Sequence, residues 1–394
     1  MEELDFRNTQ LAFQYKNNFI LIRDYYIFRL MEYQGLVNRG IKVVDRLVKN
    51  GLTWPIALGA KPTVFSLFVG GDSLEDAKRR IEKLNRYGVE SILDYGVEGK
   101  KTEVEFELTV RAIRESIVFA STHQGARIVC SKFTSLVPMV ILEKLHEGIE
   151  LSPKEATQWN RCMERIEGIA ELAYQNHISL FVDAEESWIQ KSLNDITLNL
   201  MRKYNKVEPI IYNTIQLYLK SRLEEFKSFV ELAEKEGFIY GVKLVRGAYM
   251  EKERAYAFRL GIEDPIQNTK EDTDKAYDEA VSYALHHIKN TSVCIATHNE
   301  ESTLKAAELS QSLDLSKTHP HLHFAQLLGM SDHITFNLAK AGYQVAKYLP
   351  YGPVRDVLPY LIRRAQENTS VSGQLGRELE LHKIEMKRRH LLIF

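Results

Sequence analysis

The sequence predicts an α/β fold: a (β/α)8 TIM-type barrel with an N-terminal helical region. Three observations carry this expectation. After Gly88, eight short runs rich in β-branched and aromatic residues recur, separated by apolar-periodic stretches of helical length. Strands alternating with helices build βαβ units on a parallel sheet, and the runs span about 260 residues, the size of one closed barrel. No Gly-x-Gly-x-x-Gly follows an early strand, which argues against an open dinucleotide-binding sheet.

In chain order, residues 19–35 are rich in Leu, Ile, Tyr and Met, and Ile41–Leu47 repeats apolar positions at helical spacing. The stretch Asn50–Pro62 carries Gly and Pro and reads as a linker. Ser73, with Asp76 three positions on, reads as the cap of a helix running to Arg86 and stopped by Gly88. The expected strands are Val89–Asp94, Arg127–Lys132, Ser179–Asp183, Pro209–Tyr212, Gly241–Val245, Ser292–Ala296, His321–Phe324 and Tyr343–Tyr348. Expected helices between them include Val104–Phe119, Trp159–Asn176, Leu217–Glu236, Lys270–Lys289, Glu301–Leu313 and His333–Ala339. The expected organisation is a helical region over 1–88, a barrel over 89–373 and a helical tail over 374–394.

Composition narrows the class. The chain has 394 residues, with Lys+Arg 52 against Asp+Glu 53, so no basic field favours nucleic acid. Apolar residues at 44% and charged residues at 27% fit a globular chain rather than a disordered one. The longest apolar stretch, Phe133–Leu142, is too short to cross a bilayer, and the start Met1-Glu2-Glu3-Leu4 lacks the layout of a signal peptide. A cytoplasmic location, with peripheral contact to an inner membrane as an option, is the expectation. Cys130, Cys162 and Cys294 lack metal spacing and read as buried, reduced thiols. His319-Pro320-His321-Leu322-His323 reads as a polar loop entering a strand, so no metal site is expected.

The carboxyl ends of the predicted strands, where barrel active sites form, are unusually polar. They carry Asp94 and Glu98; Lys132; Asp183, Ala184, Glu185 and Glu186; Gln216; Lys243, Val245, Arg246, Gly247 and Tyr249; Thr297 and His298; and Gln326 and Leu327. A second constellation is Tyr360-Leu361-Ile362-Arg363-Arg364-Ala365-Gln366-Glu367. On a helix Tyr360, Arg363, Arg364 and Glu367 share a face, and paired guanidiniums beside an aromatic ring suit a planar carboxylate. The competing reading is an exposed charged face in which Glu367 pairs with Arg363 or Arg364. The neutral total charge leaves room for a small basic pocket, and Lys132, Lys243, Arg246, Arg363 and Arg364 are expected to converge on one barrel mouth.

With these motifs in this order, from about Val89 to Ser370, the chain resembles the proline dehydrogenase family. The most specific piece is Tyr360 through Asn368, preceded by Tyr348. It is supported by Val182–Glu186, by Lys243–Tyr249, and by Ala296-Thr297-His298-Asn299. The resemblance implies FAD-dependent oxidation of L-proline to Δ1-pyrroline-5-carboxylate on a (β/α)8 barrel. Electrons would pass to a quinone, with possible hand-off of product to a separate pyrroline-5-carboxylate dehydrogenase. By position it implies that Arg363 and Arg364 hold the substrate carboxylate, with Lys132 close by. Tyr249, Leu327, Tyr348 and Tyr360 would wall the ring, Asp183 would lie in the same pocket, and Glu98 would gate it by pairing with Arg363. On the flavin side it implies Asp183, Ala184, Gln216, Lys243, Val245, Gly247, Thr297, His298, Glu367 and Ser370, and more loosely Asn268, Thr269 and Lys270. Lys243 departs from the arginine of many bifunctional members, keeping the charge but losing the fork. The alternatives are a barrel of the methylenetetrahydrofolate reductase type, or a non-enzymatic helical scaffold. The basic-then-apolar tail Lys387–Phe394 is expected to pack on the barrel or fray, with docking on a quinone-bearing membrane as the alternative.

Overall fold

The computed structural model describes residues 4–50, 52, 54–97, 100–370 and 374–391, without the side chains of 45, 48, 49 and 366–370. Eight strands form: β1 Val89–Tyr95, β2 Ile128–Ser131, β3 Ser179–Val182, β4 Ile211–Gln216, β5 Tyr240–Val245, β6 Thr291–Ala296, β7 Leu322–Leu327 and β8 Val345–Tyr351. They close in sequential order into a barrel. β1 pairs in parallel with β8, in register from Val89 opposite Val345 to Tyr95 opposite Tyr351. Every residue of β2, β4 and β8 is buried, as a parallel sheet covered on both faces requires.

Each expected strand exists, and β4 extends beyond the expected run Pro209–Tyr212 to the Gln216 that marks its polar end. It continues past Tyr212 because the amides of Asn213 and Gln216 find partners inside. The Asn213 amide donates to Asn194 Oδ1 at 3.0 Å and to the Tyr240 hydroxyl at 3.3 Å. The following helix starts correspondingly late, at Arg222.

The chain divides into two compact units, one holding everything up to Gly96 together with everything from Gln326, the other Val97–Ala325. In the first unit, Ser73 caps the Leu74–Asn85 helix, its Oγ accepting from Asp76 N at 3.2 Å. The expected linker at Asn50–Pro62 is instead a helix, Trp54–Ala60, followed by a wide turn over Lys61–Phe65. Pro55 lies in its first turn, where no backbone N–H is needed, and Ile56 anchors it by burial. The Gln374–Arg388 helix packs on the N-terminal helices, and of the expected tail Lys387–Phe394 the described part, through Leu391, follows it there, while 392–394 lie outside the described residues. Leu381 and Met386 join Ala12, Phe13 and Leu21 in one apolar cluster, with Leu391 packed against it. Arg389 donates to the carbonyls of Phe13 and Lys16, each at 2.8 Å.

In the second unit, three helices begin with reciprocal capping boxes, formed by Thr102 with Glu105, Ser152 with Glu155, and Thr269 with Asp272. Cys130, Cys162 and Cys294 are buried free thiols. Among the described residues, no helix is long and apolar enough to cross a membrane.

Candidate active site

The second unit builds its charged centre from β2, its neighbour β3, and β5 beyond β4. Ser131 of β2 lies opposite Val182 of β3, so the next residues, Lys132 and Asp183, emerge side by side. Lys243 rises from β5 toward the same carboxylate. Lys132 Nζ lies 3.1 Å from Asp183 Oδ2, and Lys243 Nζ makes a short contact with Asp183 Oδ1. The Cys130 thiol donates to that same Oδ1 at 2.9 Å. All four groups are buried. Burial alone would push the Asp183 carboxyl up, but the two ammoniums override it and hold the acid far below the usual carboxylate range. Burial likewise opposes the charge on Lys243, and Asp183 restores it, leaving its affinity for the proton above the ordinary lysine value.

Glu185 forms a second carboxylate site beside the first. It accepts from Thr134 N at 3.1 Å and from the Thr134 hydroxyl, clasping the turn that follows Lys132. Its own carbonyl accepts the Gln216 amide at 2.8 Å. Burial pushes the Glu185 carboxyl up to about 7, against the Thr134 hydrogen bonds. A folded value above the unfolded one means that the folded state binds the extra proton. The stabilisation is therefore complete below about pH 4, the unfolded range, and is lost as pH rises through 7. We expect unfolding in urea to show the stability of the parent relative to Glu185→Gln falling by on the order of 3 kcal/mol between pH 4 and 8, the difference isolating this carboxyl from the other titrating groups. An unaltered slope in Glu185→Gln would remove the assignment.

The remaining predicted residues of this unit separate into two groups. Gln216 lies close to the cluster, its Oε1 accepting from Ala248 N at 3.3 Å. Gly247 has φ +144°, and a Cβ there would sit 2.3 Å from Tyr218 Cδ1, so only glycine fits. Tyr249 is buried at the start of the Met250–Leu260 helix, with the Lys252 ammonium 5.1 Å from its ring centre. Ala184 is buried directly after β3, Val245 ends β5, and His298 stands half-buried after β6. Arg246 turns to the other group. Its Nε meets Asp274 Oδ1 at 2.6 Å, its Nη1 donates to the Thr297 hydroxyl at 2.7 Å, and its Nη2 to Ser302 Oγ at 2.9 Å. Asn268, Thr269 and Lys270 are exposed at the start of the Lys270–His286 helix. Thr269 is spent on the cap and Lys270 on Asp274, the carboxylate that Arg246 also meets, so this loop reaches Arg246 through it.

In the first unit, Arg363, Arg364 and Tyr360 share the Val354–Ser370 helix. Arg364 and Tyr360 are buried, and the guanidinium carbon lies 5.2 Å from the Tyr360 ring centre. Arg363 is half-buried. Tyr348 is buried on β8, and its carbonyl accepts from Leu328 N at 2.9 Å, next to Leu327 at the end of β7. Glu98 and the side chains of Glu367 and Ser370 lie outside the described residues. Sequence reasoning missed Cys130 and the Glu185–Thr134 clasp as members of the charged centre. Cys130 carried no polar signal, whereas two successive acids after a strand did mark Glu185.

A parallel (β/α)8 barrel with a buried charge cluster at the carboxyl ends of its strands has the plan of a barrel enzyme. The chain belongs to the proline dehydrogenase family, whose profile matches residues 77–377. It is 32% identical to mitochondrial proline dehydrogenase 1 of Dictyostelium discoideum, over 97% of this chain and 74% of that protein. It is also 32% identical to hydroxyproline dehydrogenase of Xenopus laevis, over 96% of this chain and 89% of that one. A solved structure of proline utilization A from Bdellovibrio bacteriovorus superposes with a TM-score of 0.72 at 21% identity. The match covers 94% of this chain and 40% of that one, and it shows the shared fold.

Proposed function

We propose that the chain oxidises L-proline to Δ1-pyrroline-5-carboxylate with FAD as its cofactor, and that the electrons pass on to a quinone. The observation that carries this reading is the buried Lys132–Asp183–Lys243 cluster at the strand ends of a chain in this family. The donor set fits a flavin. Asp183 is outnumbered by two ammoniums, so the cluster keeps a positive balance suited to an anionic cofactor. Gln216, Lys243, Val245, Gly247, Thr297 and His298 would hold it, with Glu367 and Ser370 from the Val354–Ser370 helix. Arg246 braces Thr297, which ties Asn268–Lys270 to that side through Asp274.

When bound, FAD supplies the hydride acceptor for proline C5. The chain's own task is orientation. Arg363 and Arg364 would take the substrate carboxylate with paired hydrogen bonds, and Lys132 would add charge beside it. Tyr249, Leu327, Tyr348 and Tyr360 would wall the ring and exclude water, which fixes the face from which hydride leaves. Asp183 holds both lysines in place. The Glu98 gate, the barrel domain over 89–373 and the hand-off of product to a separate dehydrogenase belong to the same reading. Contact with a membrane would be peripheral.

The test is anaerobic. The purified protein should be yellow, and L-proline should bleach its flavin while NADH does not. A colourless protein, or bleaching by NADH alone, would remove this reading, the latter in favour of a reductase of the methylenetetrahydrofolate type. A parallel titration with hydroxyproline settles which ring the walls accept.

A further inference from the structure

Lys347 is an oddity, a lysine with a fully buried side chain in the apolar strand β8. Its Nζ lies 2.9 Å from Asp332 Oδ1 and donates to the carbonyls of Leu327, at 3.3 Å, and Met330. The other Asp332 oxygen meets Lys16 Nζ at 2.9 Å and accepts from the Tyr15 hydroxyl at 2.8 Å. Lys16 in turn meets Asp24 at 2.9 Å, and Asp24 meets Arg23 at 2.6 Å. The result is a ladder of alternating charges from the N-terminal helices to the end of β7.

The loop that receives this ladder is held from other sides as well. Ser331, with φ +51°, donates its N–H to Glu378 of the Gln374–Arg388 helix. Gly329 has φ +79°, and a Cβ there would lie 2.4 Å from the Leu67 carbonyl oxygen. Helices from both ends of the chain therefore grip Leu327–Asp332. Buried ion networks are poor sources of stability, because apolar side chains of similar size do as well. Their directional strength suits them to holding a backbone in one place. Strand neighbours face opposite ways, so Lys347 grips the loop from one face while Tyr348 lies on the other.

We propose that Lys347 is a positioning residue for proline oxidation, and that the Lys16–Asp332–Lys347 ladder fixes Leu327 and Tyr348 as walls for the substrate ring. This rests on the activity proposed above. It gives the terminal helices a role in recognising the ring rather than the carboxylate.

The experiment compares two ligands of the holoenzyme, L-proline, which needs the ring walls, and acetate, which needs only the carboxylate clamp. Lys347→Met should raise KM for L-proline about tenfold while the inhibition constant of acetate and the bound flavin stay unchanged. Tyr15→Phe removes one hydrogen bond to Asp332 and no charge, and should shift KM in the same direction by about two- to threefold. It decides the matter if Lys347→Met fails to fold. Proline and acetate weakening in parallel, or neither changing, would overturn the proposal. A wild-type flavin that L-proline cannot bleach would instead strike the activity itself, and this inference would fall with it.

Discussion

Replacing Arg364 with methionine should raise the L-proline concentration needed for half-maximal flavin reduction roughly 100- to 1,000-fold, with FAD still bound. Methionine matches the unbranched stem as far as Nε and keeps an apolar body beside the Tyr360 ring, so packing around the stem is largely preserved. What disappears is the guanidinium, and with it the charged hydrogen bonds a carboxylate would receive in a site screened from water. Truncating one partner of such a pair typically costs about 2–5 kcal/mol, hence the size of the effect. Anaerobic titration of the flavin band by proline measures it directly. A proline dependence equal to that of the parent protein would end the assignment of Arg364 as a clamp.

Asp183→Asn should be strongly destabilising. Two buried ammoniums, Lys132 and Lys243, would lose the carboxylate they share. Removing one partner of a buried ion pair costs about 3–5 kcal/mol, and here two pairs share the partner. Urea unfolding near neutral pH should show a loss of at least that size. The pH dependence gives a second handle. Because the folded state holds the Asp183 carboxyl below its ordinary value, its stabilisation is present above about pH 4 and is lost as pH falls further. The gap between variant and parent should therefore narrow in acid. A gap that widens on acidification would contradict the pairing.

Much of this architecture is legible in the sequence because alternation and turn residues are local signals. The eight strands appear where β-branched runs appear, and Ser73 caps where Asp76 follows it. Local signals fail where tertiary contacts decide. Asn213 and Gln216 read as the end of a strand, yet buried partners keep them in β4. Polarity marked Lys132, Asp183 and Lys243 one by one, but their meeting at a single carboxylate follows from the register of β2 with β3 and from the reach of Lys243 from β5, one strand further on. The ladder at Lys347 is hidden for the same reason, since Tyr15 and Lys16, which complete it on Asp332, lie at the far end of the chain. Its one local trace is a lysine inside Val345-Ala346-Lys347-Tyr348-Leu349, where a buried cation demands a counter-charge. Arg246 likewise reads as one more polar strand-end residue, and only the fold brings it to Asp274, Thr297 and Ser302.

The sequential closure of β1 to β8 has a consequence for association. An open sheet presents a row of unpaired N–H and C=O groups, onto which a foreign strand can add. A closed one offers no such row. A partner is therefore met by helices and loops rather than by a strand added to the sheet.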